Sequence, residues 1–232
     1  MARITRKELK SDKFAQEVGL TVTFFEEHKE EIVRYGTIAA VVGLLVAGYM
    51  VYQRREHGVR ESALAKAIQV QEAPVGPSAN GGLSFPTQEA KDQEALRVFT
   101  DLRNKDAGSE EGEIAEYYLG AIQADQGKLV EAEKSFQEAA QKGDEKYASL
   151  ARLSLAQIYF ADGRSDLGEK TLRALIAKPT IFVSKEQAAI MLARYLMPQK
   201  PAEARKLLDP LRNLPGTVGQ VALQAYGELP AQ

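Results

Sequence analysis

The chain of 232 residues contains no cysteine and no tryptophan, and it has only two histidines, His28 and His57. The absence of cysteine excludes disulfide bonds, thiolate metal sites and a catalytic thiol. Because both histidines lie near the N-terminal end, a histidine-based catalytic centre in the C-terminal bulk of the chain is excluded as well. The net charge of −2, from 30 basic and 32 acidic residues, argues against a strongly basic nucleic-acid-binding protein.

Catalytic motifs are also missing. The sequence has no phosphate-binding G-x-x-x-x-G-K-[ST], no G-x-G-x-x-G after a strand and no H-E-x-x-H. The acidic pairs Glu110-Glu111 and Glu131/Glu133 fall on predicted helix starts or exposed faces, where carboxylates are ordinarily solvated. We therefore expect no enzymatic activity, no catalytic residue, no metal and no cofactor.

One long apolar run, YGTIAAVVGLLVAGYMVYQ at residues 35–53, lies between Arg34 and Arg54 and carries no charge. As a helix it extends roughly 28 Å, close to the thickness of a bilayer's hydrocarbon region. Tyrosines at both ends have positions typical of interfacial anchors. The preceding segment is long and holds several acids, and no A-x-A-like cleavage site closes the run. The run predicts an uncleaved transmembrane signal anchor; the alternative is a buried core helix.

The distribution of basic residues supports both orientations of the apolar run in the membrane. The whole N-terminal tail, residues 1–34, carries seven Lys or Arg, which favours a cytoplasmic tail. Within twenty residues of the run, however, the N-terminal side has two basic residues and the C-terminal side has four, namely Arg54, Arg55, Arg60 and Lys66. The positive-inside rule therefore leaves both orientations open.

Apolar residues of the tail recur at helical spacing, with charged residues between them. They are Phe14, Val18, Val22, Phe25 and Ile32. This pattern predicts an amphipathic helix at the membrane surface or against a partner.

Small residues repeat every fourth position within the apolar run, at Ala39, Gly43 and Ala47. Such a stripe lets a second membrane helix approach closely. The three residues are a candidate membrane-helix contact, although small residues are also common in transmembrane helices.

Residues 54–88 join the apolar run to the rest of the chain. Residues 54–72 keep a helical composition, so the membrane helix is expected to continue beyond the bilayer. Residues 73–88 contain three prolines, three glycines and no charge, which predicts a loop. Its apolar residues Leu83 and Phe85 are expected to dock part of the loop on the neighbouring domain.

From residue 89 to residue 232 the chain is helical in character and self-similar. Leu119-Gly120 and Gly127 recur 36 residues later as Leu155-Ala156 and Gly163, and Leu192-Ala193 follow after a further 37 residues. This spacing resembles the tetratricopeptide repeat (TPR), a helix–turn–helix unit of about 34 residues. The glycine pair 127 and 163 is expected to adopt positive φ at the turns.

The same pattern predicts how the two helices of a repeat pack. Gly120 should let its helix approach the next one closely, and Ala132 and Phe136 should fill the contact between them. Residues 217–229 place Val218, Val221, Ala222 and Ala225 on one face, which predicts a helix that covers the last repeat.

These patterns together predict an all-α fold. A single N-terminal transmembrane helix precedes a TPR-like α-solenoid of about three to four degenerate units and a C-terminal capping helix. Because repeats bury their own apolar faces, residues 54–232 should form a soluble, mostly helical fragment.

The inner face of a TPR is formed by positions 2, 5, 9 and 12 of each first helix. Tyrosine, leucine and isoleucine stand at position 5, so the Lys/Asn clamp for carboxylates that cytosolic chaperone receptors use is absent. An apolar face with a few polar groups suits extended, hydrophobic polypeptide, although these side chains have packing within the domain as an alternative role. The candidate groove residues are Ile114, Tyr117, Ala121 and Ala124 in the first unit, Leu150, Leu153, Gln157 and Phe160 in the second, and Gln187, Ile190, Arg194 and Met197 in the third.

The complete layout resembles the YfgM-like ancillary subunits of the bacterial SecYEG translocon. The resemblance rests on the segment Phe24-Phe25-Glu26-Glu27 before the span, the span itself, the RESALA-type helix at 60–65 and the degenerate repeats. It implies a bacterial inner-membrane protein with a cytoplasmic tail and a periplasmic TPR domain. It also implies partnership with SecYEG, with a membrane-anchored periplasmic prolyl isomerase that acts as a chaperone, and with newly secreted client chains.

Three classes of function remain open. The first is a translocon-linked adaptor or chaperone that binds polypeptide, and the second is a scaffold of an envelope or cell-division complex that handles no clients. The third is an anchored TPR receptor that faces the cytosol. All three have protein partners, a membrane contact through residues 35–53 and no nucleic-acid partner.

Overall fold

The structure is a computed structural model that describes residues 29–77 and 81–230. The chain divides after Gly58 into two compact units. The amphipathic helix expected at Phe14–Phe25 lies outside the described residues, as does the side chain of Ile32.

The described part of the first unit belongs to helix α1, Lys29–Glu72, whose C-terminal part lies in the second unit. This helix is long and apolar enough to cross a membrane, with a mean hydropathy of 1.7 over its most apolar 18 residues, none of which is buried. Two polar side chains of the apolar run have partners within the helix: the Thr37 hydroxyl donates to the carbonyl of Val33 at 2.7 Å, and Gln53 donates to the hydroxyl of Tyr49 at 2.6 Å. A spanning helix requires such internal partners because the hydrocarbon region offers none.

The regular secondary structure of the second unit is helical, and its described residues contain no strand; Val75 and Phe85 form one isolated bridge. The all-α prediction is therefore confirmed. After α1, the helices are α2 (Gln88–Lys105), α3 (Glu110–Asp125), α4 (Leu129–Lys142), α5 (Glu145–Ala161), α6 (Ser165–Ala177), α7 (Lys185–Leu196), α8 (Pro201–Leu208) and α9 (Thr217–Gly227).

Helices α3, α5 and α7 are the first helices of three successive repeats, and α4, α6 and α8 are the second. Each first helix begins at a side-chain cap: Ser109, Asp144 and Ser184 accept a hydrogen bond from the backbone N–H three residues on. These caps satisfy one of the donors that a helix start leaves open.

The turns inside the first two repeats have the same geometry. Gly127 and Gly163 adopt φ values of 73° and 75°, as their spacing predicts. Lys128 N–H donates to the carbonyl of Gln123 at 2.9 Å, and Arg164 N–H donates to that of Tyr159 at 2.7 Å. This six-to-one hydrogen bond is the Schellman ending of a helix, which requires a left-handed residue and thus favours glycine.

The close contact between α3 and α4 requires a glycine, which has no side chain, at position 120. A Cβ atom added at Gly120 would lie 2.8 Å from Cδ1 of Phe136, whose side chain is 2% exposed. The second repeat uses the same device with the helices exchanged, since a Cβ at Gly168 of α6 would lie 2.6 Å from the ring of Phe160 in α5. Ala132 is fully buried beside Phe136, as predicted.

The segment upstream of the loop contributes buried side chains to the repeats. Ala67 and Val70 of α1 lie in one hydrophobic cluster with Ala95 and Phe99 of α2. Phe85 packs against the same cluster and Leu83 is 52% exposed, so only one of the two loop residues docks as expected.

The C-terminal helix α9 packs against α7 and α8 and covers the third repeat, in agreement with the predicted cap. Its buried face is rotated from the expected one. Ala222 and Ala225 are buried and Val221 is half-buried, but Gly219 is buried and Val218 is exposed. Because a Cβ at Gly219 would collide with the carbonyl of Leu214, the preceding turn lies directly against this side of the helix.

An ion pair recurs between successive repeats. Arg164 in the second repeat donates to both carboxylate oxygens of Glu133 in the first, at 2.8 and 2.6 Å. Exactly one repeat later, at the 36-residue offset, Lys200 donates to Glu169 at 2.9 Å. The Arg164 hydrogen bonds hold the pKa of Glu133 below its ordinary value, and Lys200, with Arg173, does the same for Glu169.

We expect Glu133→Gln to lower the stability of the repeats at neutral pH but not in acid. A carboxyl whose folded pKa is lowered stabilises the fold above its unfolded pKa, near 4.5, and that stabilisation is lost as the pH falls through the folded pKa. Urea unfolding at pH 7 should therefore give a lower free energy of unfolding for the variant than for the wild type. In stronger acid the two free energies should become equal. Glu131→Gln, at an exposed neighbouring position, is the control; a gap that persists in acid contradicts this account.

Candidate functional site

The twelve candidate groove residues differ in exposure, and the contrast is clearest between positions 5 and 9 of the first helices. At position 5, Leu153 and Ile190 are 7% exposed and Tyr117 is half-buried. At position 9, Gln157 and Arg194 are exposed and Ala121 is half-buried. Positions 2 and 12 show no such order: Ile114 and Met197 are buried, Ala124, Leu150 and Phe160 are half-buried, and Gln187 is exposed.

Tyr117 belongs to a row of aromatic rings that links the repeats. Its ring centroid lies 5.6 Å from those of both Tyr118 and Tyr147, and 5.8 Å from that of Phe136. Burial raises the pKa of the Tyr117 phenol, although a hydrogen bond with Ser154 acts in the opposite direction. This side chain therefore contributes packing between the first two repeats.

Two open clefts run along the exposed positions of the first helices. Cleft I has a volume of about 290 Å³ and lies between the first repeat and α5. Its predicted members are Ala121, Ala124 and Gln157. Other residues also line cleft I, and the sequence spacing does not predict them. They are Asp125, Leu129, Phe136, Ser154, Ile158 and Ala161.

Cleft II has a volume of about 470 Å³ and lies between α5, α7 and the capping helix. Its predicted members are Gln157, Gln187, Ile190 and Arg194, which join Met191, Tyr195 and Val221. The Tyr195 ring stacks on Phe160 with 3.8 Å between centroids, and partial burial raises the pKa of its phenol. Gln157 lines both clefts, so the two clefts meet at this side chain.

The lining of both clefts is apolar with a few polar groups. The side-chain amides of Gln157 and Gln187 form no hydrogen bond within the described residues, so they are free to meet the backbone of a bound chain. Pockets of this composition bind by burying apolar surface and use their polar groups to orient the ligand. The arrangement can thus hold an extended peptide, with side chains in the clefts and peptide groups beside the glutamines.

A third cavity, of about 260 Å³, has a different character. Arg103, Glu113, Glu116, Glu138 and Lys142 line it. Burial, together with the neighbouring carboxylates, raises the pKa of Glu113, while Arg103 lies 3.5 Å from the nearly buried Glu116. Among the described residues, no cluster of histidine or acidic side chains has a geometry that could hold a metal ion.

The small-residue stripe lies within α1. A Cβ at Gly43 would meet no atom within 4 Å, and Ala39 and Ala47 are exposed. A helix–helix contact at this stripe stays a prediction.

The structure is that of a helical-repeat protein of the TPR type. Its helices pair antiparallel, its glycine turns recur at a fixed offset, and its two clefts meet at Gln157 across three repeats. A sequence model of the tetratricopeptide repeat-like domain matches residues 23–205, which is more than half of the chain. The chain therefore belongs to the tetratricopeptide repeat-like domain family. No curated protein and no solved structure matches it. TPR-like repeats indicate protein partners, and the fold is typically non-catalytic.

Proposed function

We propose that this protein is a membrane-anchored TPR adaptor that binds extended polypeptide in clefts I and II. The observation that carries the proposal is the continuity of the two clefts through Gln157, on the positions of the first helices that remain exposed. A surface of this length suits a chain that crosses several repeats rather than a small molecule.

Photo-crosslinking from Gln157 tests the proposal in the full chain. A photoreactive residue at position 157 should capture nascent or unfolded polypeptide in membrane vesicles, whereas the same residue at Lys170, exposed on α6, should not. Equal capture from both positions contradicts binding in the clefts. A stable stoichiometric complex without client capture supports the scaffold of an envelope or cell-division complex instead.

The finer proposal is association with the bacterial SecYEG translocon, where the protein accompanies newly secreted chains together with a membrane-anchored periplasmic prolyl isomerase. It is supported by the resemblance to YfgM-like subunits and by the order of an apolar helix followed by repeats. Crosslinking from the exposed face of α1 within residues 35–53 should yield SecYEG subunits. Their absence, with other membrane proteins captured, contradicts this proposal.

The proposed topology places the tail in the cytoplasm and residues 54–232 in the periplasm of a bacterial inner-membrane protein. The basic count of the whole tail supports it, and long domains cross largely regardless of charge. Alkaline phosphatase fused to the C-terminus should be active. Activity of a cytoplasmic reporter alone at that position would favour the cytosol-facing receptor, to which the basic residues Arg54, Arg55 and Arg60 point.

A further inference from the structure

Each cleft contains one charged side chain, and the two charges are opposite. Asp125 is the single acidic residue in the described lining of cleft I, and Arg194 is the single basic residue in that of cleft II. Both side chains are exposed, and within the described residues neither forms a hydrogen bond or an ion pair.

The other arginines of the repeats are engaged. Arg164 binds Glu133, and Arg173 binds both Glu169 and Glu203. Because those arginines are held by carboxylates of the chain itself, Arg194 differs from them in having its guanidinium open to a ligand. An unpaired guanidinium beside an apolar cleft is suited to a carboxylate, which it can bind through two parallel hydrogen bonds.

The two charges stand two repeats apart, on α3 and α7. At about 8–10 Å for each step from one first helix to the next, the separation is roughly 16–20 Å, or five or six residues of an extended chain at about 3.3 Å per residue. The apolar walls of the clefts and the free amide of Gln157, on α5 between the two charged helices, lie along that path.

We propose that the clefts select extended segments with a basic residue and an acidic residue separated by about five positions, with apolar residues between them. The basic residue meets Asp125 and the acidic residue meets Arg194. This inference rests on the proposed function and adds the chemistry of the bound segment to it.

Four amidated peptides with a neutral fluorophore test the charge rule on the full chain in detergent micelles. They are GKLVALDG, GKLVALKG, GDLVALDG and the neutral GQLVALQG. By fluorescence anisotropy the wild type should bind the mixed peptide roughly threefold to tenfold more tightly than the others, as expected for exposed to partly desolvated charge pairs. Raising the salt concentration should reduce this difference.

Charge substitutions should then change the ranking in a defined way. Arg194→Glu should bind the peptide with two lysines most tightly, and Asp125→Lys should bind the peptide with two aspartates most tightly. The double variant, whose two charges are exchanged, should again prefer the mixed peptide. Lys206→Glu, at an exposed position on α8, gives the same change of net charge as Arg194→Glu and should leave the wild-type ranking intact. Circular dichroism verifies that each variant is folded.

The outcomes separate the two proposals. If the neutral peptide binds as tightly as the mixed one, the charge rule is wrong and polypeptide binding stands. If Lys206→Glu changes the ranking as much as Arg194→Glu does, the preference comes from net charge and the rule is also wrong. If none of the four peptides binds, both the charge rule and the proposed function are overturned.

Discussion

Phe136→Ala should destabilise the repeat domain by about 3–5 kcal/mol, the usual cost of removing a fully buried aromatic side chain. The ring is 2% exposed and lies directly on Gly120, so its removal leaves a cavity between α3 and α4. Because α3 and α4 share further buried contacts with α5, the cavity cannot close without disturbing the second repeat.

The loss is measured by urea unfolding of residues 54–232, the fragment expected to be soluble and helical. Phe182→Ala is the matched control, because that ring is 39% exposed and its removal should cost about 1 kcal/mol or less. Equal losses in the two variants would show that the contact between α3 and α4 does not dominate the stability of this repeat. A second test on the same fragment is Gly120→Leu, whose side chain meets the Phe136 ring and should also destabilise the fold by overpacking.

The repeat geometry could be predicted from the sequence because it depends on local signals. Gly127 and Gly163 stand at a fixed offset, and a helix ending with this hydrogen-bond pattern needs a residue with positive φ. Gly120 could be paired with Phe136 since both occupy known TPR positions. The ion pairs do not follow from these signals: the sequence places Glu133 among solvated carboxylates, whereas the structure pairs it with Arg164, and Glu169 with Lys200 at the same 36-residue offset.

The contribution of α1 to the repeats was harder to predict. Ala67 and Val70 share a buried cluster with Phe99, but a long loop separates the two helices. Residues 73–87 replace the short glycine turn of the other repeats, so the constant offset that reveals a repeat is interrupted there. Periodicity shows that residues 54–72 form a helix and does not show what that helix packs against.

Position counting places the candidate site on α3, α5 and α7, but it does not predict the exposure of each side chain. Leu153 and Ile190 are bulky apolar residues at position 5, and the structure buries them, while Gln157 and Arg194 one turn later remain exposed. Asp125, Tyr195 and Val221 line the clefts through tertiary packing, and no sequence spacing points to them. Val221 in particular reaches cleft II only because α9 folds back on the third repeat.

The double variant Leu44→Arg with Leu45→Arg should abolish stable membrane integration of the full chain. Both side chains lie at the middle of the apolar run and are 74% and 69% exposed on α1. On an insertion scale each change from Leu to Arg costs about 3–4 kcal/mol, and together roughly 6–8 kcal/mol, which exceeds the favourable contribution of the remaining apolar residues.

The helix cannot recover by sliding along its axis, because Arg34 and Arg54 bound the run and no second uncharged stretch of sufficient length adjoins it. After extraction with alkaline carbonate, the wild type should remain in the membrane pellet and the double variant should appear in the supernatant. Leu44→Phe with Leu45→Phe is the control, since phenylalanine inserts about as well as leucine, and it should behave like the wild type. If carbonate releases the wild type as well, α1 does not span the bilayer, and the anchored topology is wrong while the repeat fold and its clefts are unaffected.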